Sequence, residues 1–390
     1  MIVDDVFSDE LKRESMSYIP LVPLSELPEN SHHSVLLGGK SIVLFHYRGV
    51  ITALGNTCIH RGGDLGQGSI QTLDDGELYV VCPWHGWQYN LKSGQAPDGY
   101  KDRQALYEVI IENGMILVSE EPVREAFKAS HDLDPVADLR KLDYQTTDKS
   151  LHVLGISTTN MNRDLPRPST SETALQQALD FAASGFGAST KMIRIRDLNF
   201  RHCEGYYSRH ERACTWPCSI SEMDGEDGMN EVYRAMVLWA DAVILATPIR
   251  WGNASSLYYK MAERLNAVQN QITVYDRVLI KNKVASFIIT GGQDNVQGVA
   301  GNLGSFFTDL GFTLPPFNFL GWSRGWIAED MENNYNSFFK SRYVKRSVRE
   351  LVTNTVQLVM QIKQMDASHL QTPKPKISES GGLAGTIISK

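Results

Sequence analysis

Cysteine is scarce in this chain: five among 390 residues, at positions 58, 82, 203, 214 and 218. An odd, small number in a chain this long argues against a disulfide framework and for metal or redox use of the thiols. Basic residues are also too few for a nucleic-acid partner. Lysine and arginine number 38 against 45 aspartate and glutamate, a net charge of −7, whereas phosphate binding needs a basic surface. Long apolar runs are missing, so no membrane span is expected. The N-terminal Met1-Ile2-Val3-Asp4-Asp5 lacks the basic stretch and apolar core of a secretory signal, and a cytosolic location follows as an expectation. No G-x-G-x-x-G follows a strand-like run. Gly298, Gly301 and Gly304 have the wrong spacing and fall in a helical stretch, so a separate dinucleotide-binding module is not expected.

The length fits two domains, and the character of the sequence changes between them. Over residues 18–122, short β-prone runs such as 41–45, 50–54 and 78–81 alternate with Gly, Asn and Asp, which reads as a small all-β domain. Two runs, 107–111 and 115–118, flank Glu112-Asn113-Gly114 as a hairpin. Residues 123–149 are charged and turn-rich and read as a linker. From 150 to 325, apolar runs at 153–156, 192–195, 242–246 and 284–289 alternate with helical periods. That alternation predicts an α/β doubly wound parallel sheet with helices on both faces. A C-terminal helix is expected over 326–370, with Val344, Val348, Leu351, Thr355, Leu358 and Ile362 on one stripe. The Pro/Gly/Ser-rich 371–390 reads as a disordered tail.

The two cysteines of the all-β part belong to paired strings. Cys58-Ile59-His60 is C-x-H, and Cys82-Pro83-Trp84-His85 is C-x-x-H, with 21 residues between them. Two thiolates and two imidazoles on two loop tips form the ligand set of a Rieske [2Fe–2S] centre, with both Cys on one iron and both His on the other. Tetrahedral zinc takes the same residue types. The flanking Gly62, Gly63 and Gly86 favour the cluster, because glycines let backbone N–H groups approach its sulfides.

On these residues the first domain resembles the Rieske domain of aromatic-ring oxygenases and their ferredoxins, over about 105 residues. Respiratory-chain members carry an additional bridging disulfide and a cluster-facing Ser. Here Trp84 stands in one of the cysteine places and Trp87 in the serine place. Fewer hydrogen bonds to sulfur imply a potential toward the low end of roughly −150 to +300 mV. Gly94-Gln95-Ala96-Pro97 is assigned as a third, proline-bearing loop over the cluster.

In an open parallel sheet, ligands bind at the carboxyl ends of the strands near the switch point. Three loops there are informative. Ser157 to Arg163, ending in Ser169-Thr170-Ser171-Glu172-Thr173, is rich in hydroxyls and runs into a helix N-terminus, a phosphate site by its dipole and N–H groups. An ordinary capped helix, with Ser171 or Thr170 as N-cap, reads equally well. The second is Thr247-Pro248-Ile249-Arg250-Trp251-Gly252-Asn253, and the third holds Gly291 and Gly292. Together they resemble the flavodoxin-like, NAD(P)H-dependent FMN reductases, most specifically in Thr-Pro-x-x-Trp-Gly. The resemblance implies phosphate contacts from Ser157, Ser171 and Thr173. It implies a ring cradle from Thr247 to Asn253, and Gly291 and Gly292 along the ring's far edge. It also implies that nicotinamide stacks directly on the flavin, and that the protein is a homo-oligomer.

Cys203, Cys214 and Cys218 lie where iron–sulfur flavoproteins of that family hold a four-Cys cluster, but a fourth thiolate is missing. A second metal centre, a Cys214/Cys218 redox pair, a zinc site and structural thiols all remain open readings. His32 and His33 read as surface loop residues. Lys340, Arg342, Lys345, Arg346 and Arg349 read as a solvated helix face. Trp322 and Trp326 suit core packing as well as a flavin border or an oligomer contact.

The whole reads as an electron-transfer oxidoreductase. Electrons from NAD(P)H would pass through FMN to the Rieske cluster, and on to an acceptor such as an oxygenase or a quinone. FMN bridges two-electron and one-electron chemistry, and no catalytic side chain is singled out. A redox sensor or carrier with the same cofactors is the alternative. A Rieske oxygenase needs two His and a carboxylate on a mononuclear iron, and His152, His202, His210 and His369 show no D/E-x-x-H-x₄-H arrangement.

Overall fold

The computed structural model describes residues 16–97, 101–128, 150–160, 168–291, 295–323 and 328–365. The chain divides into two compact units. One comprises Met1–Asp132 together with Gly205–Ala213, the other Leu133–Glu204 with Cys214–Lys390.

The first unit is built from ten strands: β1 (Tyr18–Pro23), β2 (Ser31–Leu37), β3 (Lys40–Tyr47), β4 (Val50–Gly55), β5 (Ser69–Thr72), β6 (Leu78–Val81), β7 (Gln88–Asn90), β8 (Leu106–Tyr107), β9 (Val109–Glu112) and β10 (Met115–Ser119). They form three small antiparallel sheets, ordered β1-β10-β9, β2-β3-β4-β8 and β5-β6-β7. The β9–β10 turn has Asn113 and Gly114 at φ 50° and 76°, the left-handed pair that a two-residue hairpin requires.

Three expectations change here. The run 107–111 is two strands, because the chain leaves β4 at Glu108 and joins β10. His32 and His33 lie in β2, not a loop; His32 pairs across to Phe45, and its Nδ1 is 2.9 Å from the Tyr47 hydroxyl. Pairing also continues past 122. Arg124 bridges Leu106 and Phe127 bridges Arg103; residues 129–149 lie outside the described residues.

β3 and β4 carry two apolar faces. One packs Val43, Phe45 and Leu54 around Cys58, Cys82 and Tyr89, and the other packs Ile42, Leu44 and Ala53 against Ile116 and Val118. Strand alternation sends successive side chains to opposite faces, so these short strands feed both clusters.

The second unit contains β11 (His152–Ser157), α1 (Thr170–Phe186), β12 (Ser189–Arg194), α2 (Ser219–Met223), α3 (Met229–Tyr233), β13 (Ala242–Pro248), α4 (Ser256–Arg264), α5 (Asn266–Tyr275), β14 (Val284–Gly291), α6 (Val296–Asp309), β15 (Phe319–Ser323), α7 (Ala328–Lys340) and α8 (Arg342–Gln364). All five strands are parallel, in the order β12-β11-β13-β14-β15. β11, β13 and β14 are buried along their whole lengths, which is why they read as continuous apolar runs. One face packs on α1 and α8 through Val153, Ile244, Ile288, Leu175, Val348 and Leu351. On the other, Phe307 of α6 meets Phe287 edge-to-face at 5.3 Å.

The single helix expected over 326–370 is two. Ser341 ends α7 and caps α8 by accepting the Val344 N–H, the hydroxyl satisfying a donor that has no partner in the first turn. The basic face of α8 is exposed as expected. Trp322 donates its indole N–H to Asn334 and packs on Phe338, which favours the core reading, while Trp326 and the tail lie outside the described residues. Between β12 and α4, the buried Arg264 guanidinium binds Asp227, Ser221 and the Arg201 carbonyl. Removing either charge of such a pair strands the other in a dry site.

Candidate functional site

The Cys58 loop leaves β4 and the Cys82 loop leaves β6, and their backbones repeat one pattern. The Gly62 N–H donates to the Cys58 carbonyl at 2.8 Å, and the Cys58 N–H to the Gly63 carbonyl at 2.8 Å. The Gly86 N–H donates to the Cys82 carbonyl at 3.0 Å, and the Cys82 N–H to the Trp87 carbonyl at 2.7 Å. Gly62 and Gly86 take the matching left-handed position, at φ 90° and 75°, which a side chain resists.

Cys58, Cys82, His60 and His85 are 2, 1, 6 and 4 % exposed. The two thiols meet side by side. A hydrogen bond from Cys82 lowers Cys58 to about 7 against the effect of burial; the Tyr89 hydroxyl and the N–H groups of His60 and Arg61 assist. Cys82 is correspondingly pushed up by Cys58 and by burial. The two imidazoles also meet, with centroids 4.8 Å apart, and His60 stacks on Trp87 at 4.5 Å. Among the described residues no three His, Cys, Asp or Glu side chains converge as a single metal ion would need. Two thiols together and two imidazoles together offer two ligands to each of two irons.

The fit goes further at His85. Its Nε2 lies 2.6 Å from the Ala213 carbonyl. A carbonyl only accepts, so Nε2 carries the proton and Nδ1 the lone pair. The Nδ1 atoms of both histidines are buried. At Gly63 a Cβ would lie 2.6 Å from Cys82 Sγ, so the glycine leaves the room beside the sulfur. These residues fit a [2Fe–2S] cluster. The sequence reading missed Tyr89, whose hydroxyl lies 3.4 Å from Cys58 Sγ; its place two residues after Trp87 was the available signal. Gly94, at φ 70°, is tied to Gln104, which donates to the Thr57 carbonyl beside Cys58.

In the second unit the chain runs from β11 out to β12 and returns to β13 on the other side, so the switch point lies between β11 and β13. The loops after those strands are tied together there. The Thr158 N–H donates to the Ala246 carbonyl at 2.9 Å, Ser255 Oγ to the Thr158 carbonyl at 2.5 Å, and Asn160 Nδ2 to Ser256 Oγ at 3.0 Å. Ser171 Oγ stands 2.9 Å from Thr159 Oγ1 and 3.2 Å from Ser169 Oγ, a triad of hydroxyls at the N-terminus of α1. Ser169, not Ser171 or Thr170, is the N-cap, accepting the Glu172 N–H at 3.2 Å. Thr173 closes the same turn with its N–H on the Ser169 carbonyl.

Ser157 turns its hydroxyl to Glu172 at 3.0 Å. Glu172 also takes Arg194 Nε and Arg196 Nη1, each at 2.7 Å. Burial alone would raise its pKa; the hydrogen bonds from both arginines outweigh that and hold the carboxyl below its usual range. Composition gave no sign of this ion group, because its arginines lie 22 and 24 residues from Glu172.

Thr247 Oγ1 accepts the Ser255 N–H, and Ile249 N–H donates to the Thr290 carbonyl, joining the second and third loops. Arg250 and Asn253 exchange backbone hydrogen bonds around a tight turn, with Trp251 at φ 50° and Gly252 at φ 71°. Trp251 is 90 % exposed at its tip. Asn295 Nδ2 braces the turn at the Gly252 carbonyl, 2.6 Å away. Gly291 faces Ile249, and a Cβ there would lie 2.9 Å from the isoleucine Cβ. Gly292 and residues 161–167 lie outside the described residues.

The remaining cysteines do not gather into a metal site among the described residues. Cys214 Sγ accepts from Asn266 Nδ2 at 3.3 Å, and Cys218 is buried at the start of α2.

Residues 17–107 match the family model of the Rieske [2Fe-2S] domain, and residues 153–326 that of the NADPH-dependent FMN reductase. The protein therefore joins a Rieske domain to an FMN reductase domain of flavodoxin-like fold. Its likenesses to whole proteins divide along the same line. It is 26 % identical over 155 residues to a human Rieske domain-containing protein, covering 36 % of this chain and 96 % of that one. It is 28 % identical over 79 residues to the ferredoxin component of the naphthalene 1,2-dioxygenase system of Pseudomonas aeruginosa, covering 20 % of this chain and 71 % of that one. A crystal structure of RosB with bound 8-demethyl-8-formylriboflavin-5′-phosphate overlaps 55 % of this chain and 81 % of its own, at 21 % identity and a TM-score of 0.44.

Proposed function

We propose that the protein is an oxidoreductase that takes electrons from NAD(P)H at FMN and delivers them through a Rieske cluster to an oxygenase-type protein or a quinone. When bound, the flavin would accept a hydride and release single electrons, and the cluster would carry them one at a time. The reading rests on one observation: a two-thiol, two-imidazole quartet and a linked set of switch-point loops occur in the same chain.

Cys58 and Cys82 would hold one iron, His60 and His85 the other. The hydroxyls of Thr159, Ser169 and Ser171, with the N–H groups opening α1, would take the flavin phosphate, and Ser157 would act behind them by fixing Glu172. Thr247 to Asn253 would cradle the ring through backbone groups, with Gly291, packed on Ile249, along its far edge. Arg194 and Arg196 keep the Glu172 charge compensated, so it does not repel a phosphate at the helix end. A homo-oligomer, as in the FMN reductases, completes the proposal.

Anaerobic titration of the purified protein with NADH and with NADPH tests it. Flavin bleaching followed by a rhombic reduced-Rieske EPR signal is expected with one nucleotide. No reduction by either would overturn the reductase reading and favour a sensor. In Cys82→Ser the Rieske signal disappears while flavin reduction by the nucleotide persists.

A further inference from the structure

Gly205–Ala213 belongs to the Rieske-bearing unit, although the residues before and after it in sequence belong to the other. It holds two short 3-10 turns, Tyr206–Ser208 and Glu211–Ala213. The second ends on the carbonyl that receives the His85 Nε2–H at 2.6 Å. Tyr206 stands edge-on to the same ring at 5.0 Å. His210 stacks on Trp84 at 4.5 Å, and Arg209 donates to the Pro83 carbonyl. Each residue of Pro83-Trp84-His85 therefore has a partner in this strap.

A strap that only fastened the chain would need no more than the contacts on Pro83 and Trp84. The contact on His85 does something else. An acceptor on the outer N–H of a ligating imidazole fixes its tautomer and ring orientation. The Nε2 edge is the side of the ring turned away from Nδ1, the strap lies on it, and His85 is 4 % exposed.

We propose that Gly205–Ala213 is a built-in partner of the cluster site. Its Ala213 carbonyl positions His85 for ligation through Nδ1, and its body fills the surface on which a separate redox protein would touch that histidine. The proposal rests on the quartet holding a [2Fe–2S] cluster. Its consequence is that a protein acceptor docks elsewhere on the molecule.

The test uses the full-length, cluster-loaded protein with diethyl pyrocarbonate, which modifies solvent-reached imidazoles, and mass spectrometry to read each histidine. With Nδ1 ligating and Nε2 protonated, His85 has no free lone pair and should react at least about ten-fold more slowly than the exposed His202, so the strap is read from the change between proteins. Tyr206→Ala with His210→Ala should raise the His85 rate at least about three-fold over the unaltered protein, whereas Tyr207→Ala, at an exposed neighbour, should not. Pulsed EPR of the dithionite-reduced double variant should show a changed coupling for one histidine nitrogen and not the other, which general loosening would not produce.

Labelling of His85 at the His202 rate in the unaltered protein overturns the proposal, and so do unchanged nitrogen couplings in the double variant. If that variant assembles no cluster, Arg209→Ala, which releases only the Pro83 carbonyl, is read in its place. Lack of iron and acid-labile sulfide in the unaltered protein is a different failure, that of the cluster reading itself, and shows before any label is added.

Discussion

The cysteine loops and the loops at the carboxyl end of the parallel sheet hold their surroundings still by opposite means. At the cysteine loops, two thiols meet and two imidazoles meet, and the backbone merely repeats, Cys58 with Gly62 and Gly63, Cys82 with Gly86 and Trp87. At the sheet end no side chain dominates. Carbonyls, N–H groups and hydroxyls of three loops bind one another, through Thr158, Ser255 and Ile249. Ligation to a metal is all or none, since a displaced sulfur is no ligand. A cradle of many neutral hydrogen bonds loses about 0.5–1.5 kcal/mol at a time. Sensitivity to mutation should therefore be abrupt in one region and graded in the other.

The sharpest form of that contrast lies within the cysteine loops. Gly63→Ala would put a Cβ 2.6 Å from Cys82 Sγ and 3.1 Å from the Trp84 ring. The sulfur cannot retreat and still ligate, so the variant should fold but contain no cluster by iron, sulfide and visible absorbance. Gly86→Ala meets nothing within 4 Å at φ +75°. It should keep its cluster and lose only about 1–2 kcal/mol of stability, the cost of a left-handed non-glycine residue. Full cluster content in Gly63→Ala would show that Cys82 is not held as a ligand in this geometry.

A graded effect is expected at Glu172, where the carboxylate gathers Ser157, Arg194 and Arg196. Its folded pKa is depressed, so its contribution is fully present above the unfolded value, near the ordinary glutamate range, and is lost as pH falls through the folded value. Glu172→Gln should cost about 1–3 kcal/mol at pH 7 by leaving part-buried guanidinium groups without their counter-charge. The gap between variant and parent should close in acid, once the parent carboxyl is protonated. Denaturant titrations at pH 7 and below pH 4 check this. A gap that stays constant with pH would mean that shape, not charge, matters at Glu172.

The same contrast explains what could be seen in the sequence. The meeting of Cys58 with Cys82 and of His60 with His85 was legible because C-x-H and C-x-x-H place a Cys and a His on each loop tip, and β11, β13 and β14 because burial on both faces leaves apolar runs. Glu172 with Arg194 and Arg196 was not legible, since the residues meet only when β12 pairs with β11. The strap Gly205–Ala213 was hidden for a similar reason. It has no apolar pattern, and its partners lie more than a hundred residues earlier in the chain. The break at Glu108 was hidden because each half of 107–111 reads as a strand, and only the choice of partner strand separates them.

The smallest effect expected is at Tyr89, whose hydroxyl lies 3.4 Å from Cys58 Sγ and whose ring is fully buried in the core beneath the loops. Donation to a cluster sulfur favours the reduced state, which carries more negative charge. Trp87 has no hydroxyl, so Tyr89 supplies a donor that the sequence reading left out when it placed the potential toward the low end. Tyr89→Phe keeps the ring and removes only that donor. One hydrogen bond of about 1 kcal/mol corresponds to about 40 mV for a single electron, and the sign is downward. Redox titration followed by EPR should show a fall of that size with cluster content unchanged. No fall would place the Tyr89 proton elsewhere than on sulfur, and a fall several times larger would mean that the ring itself had moved.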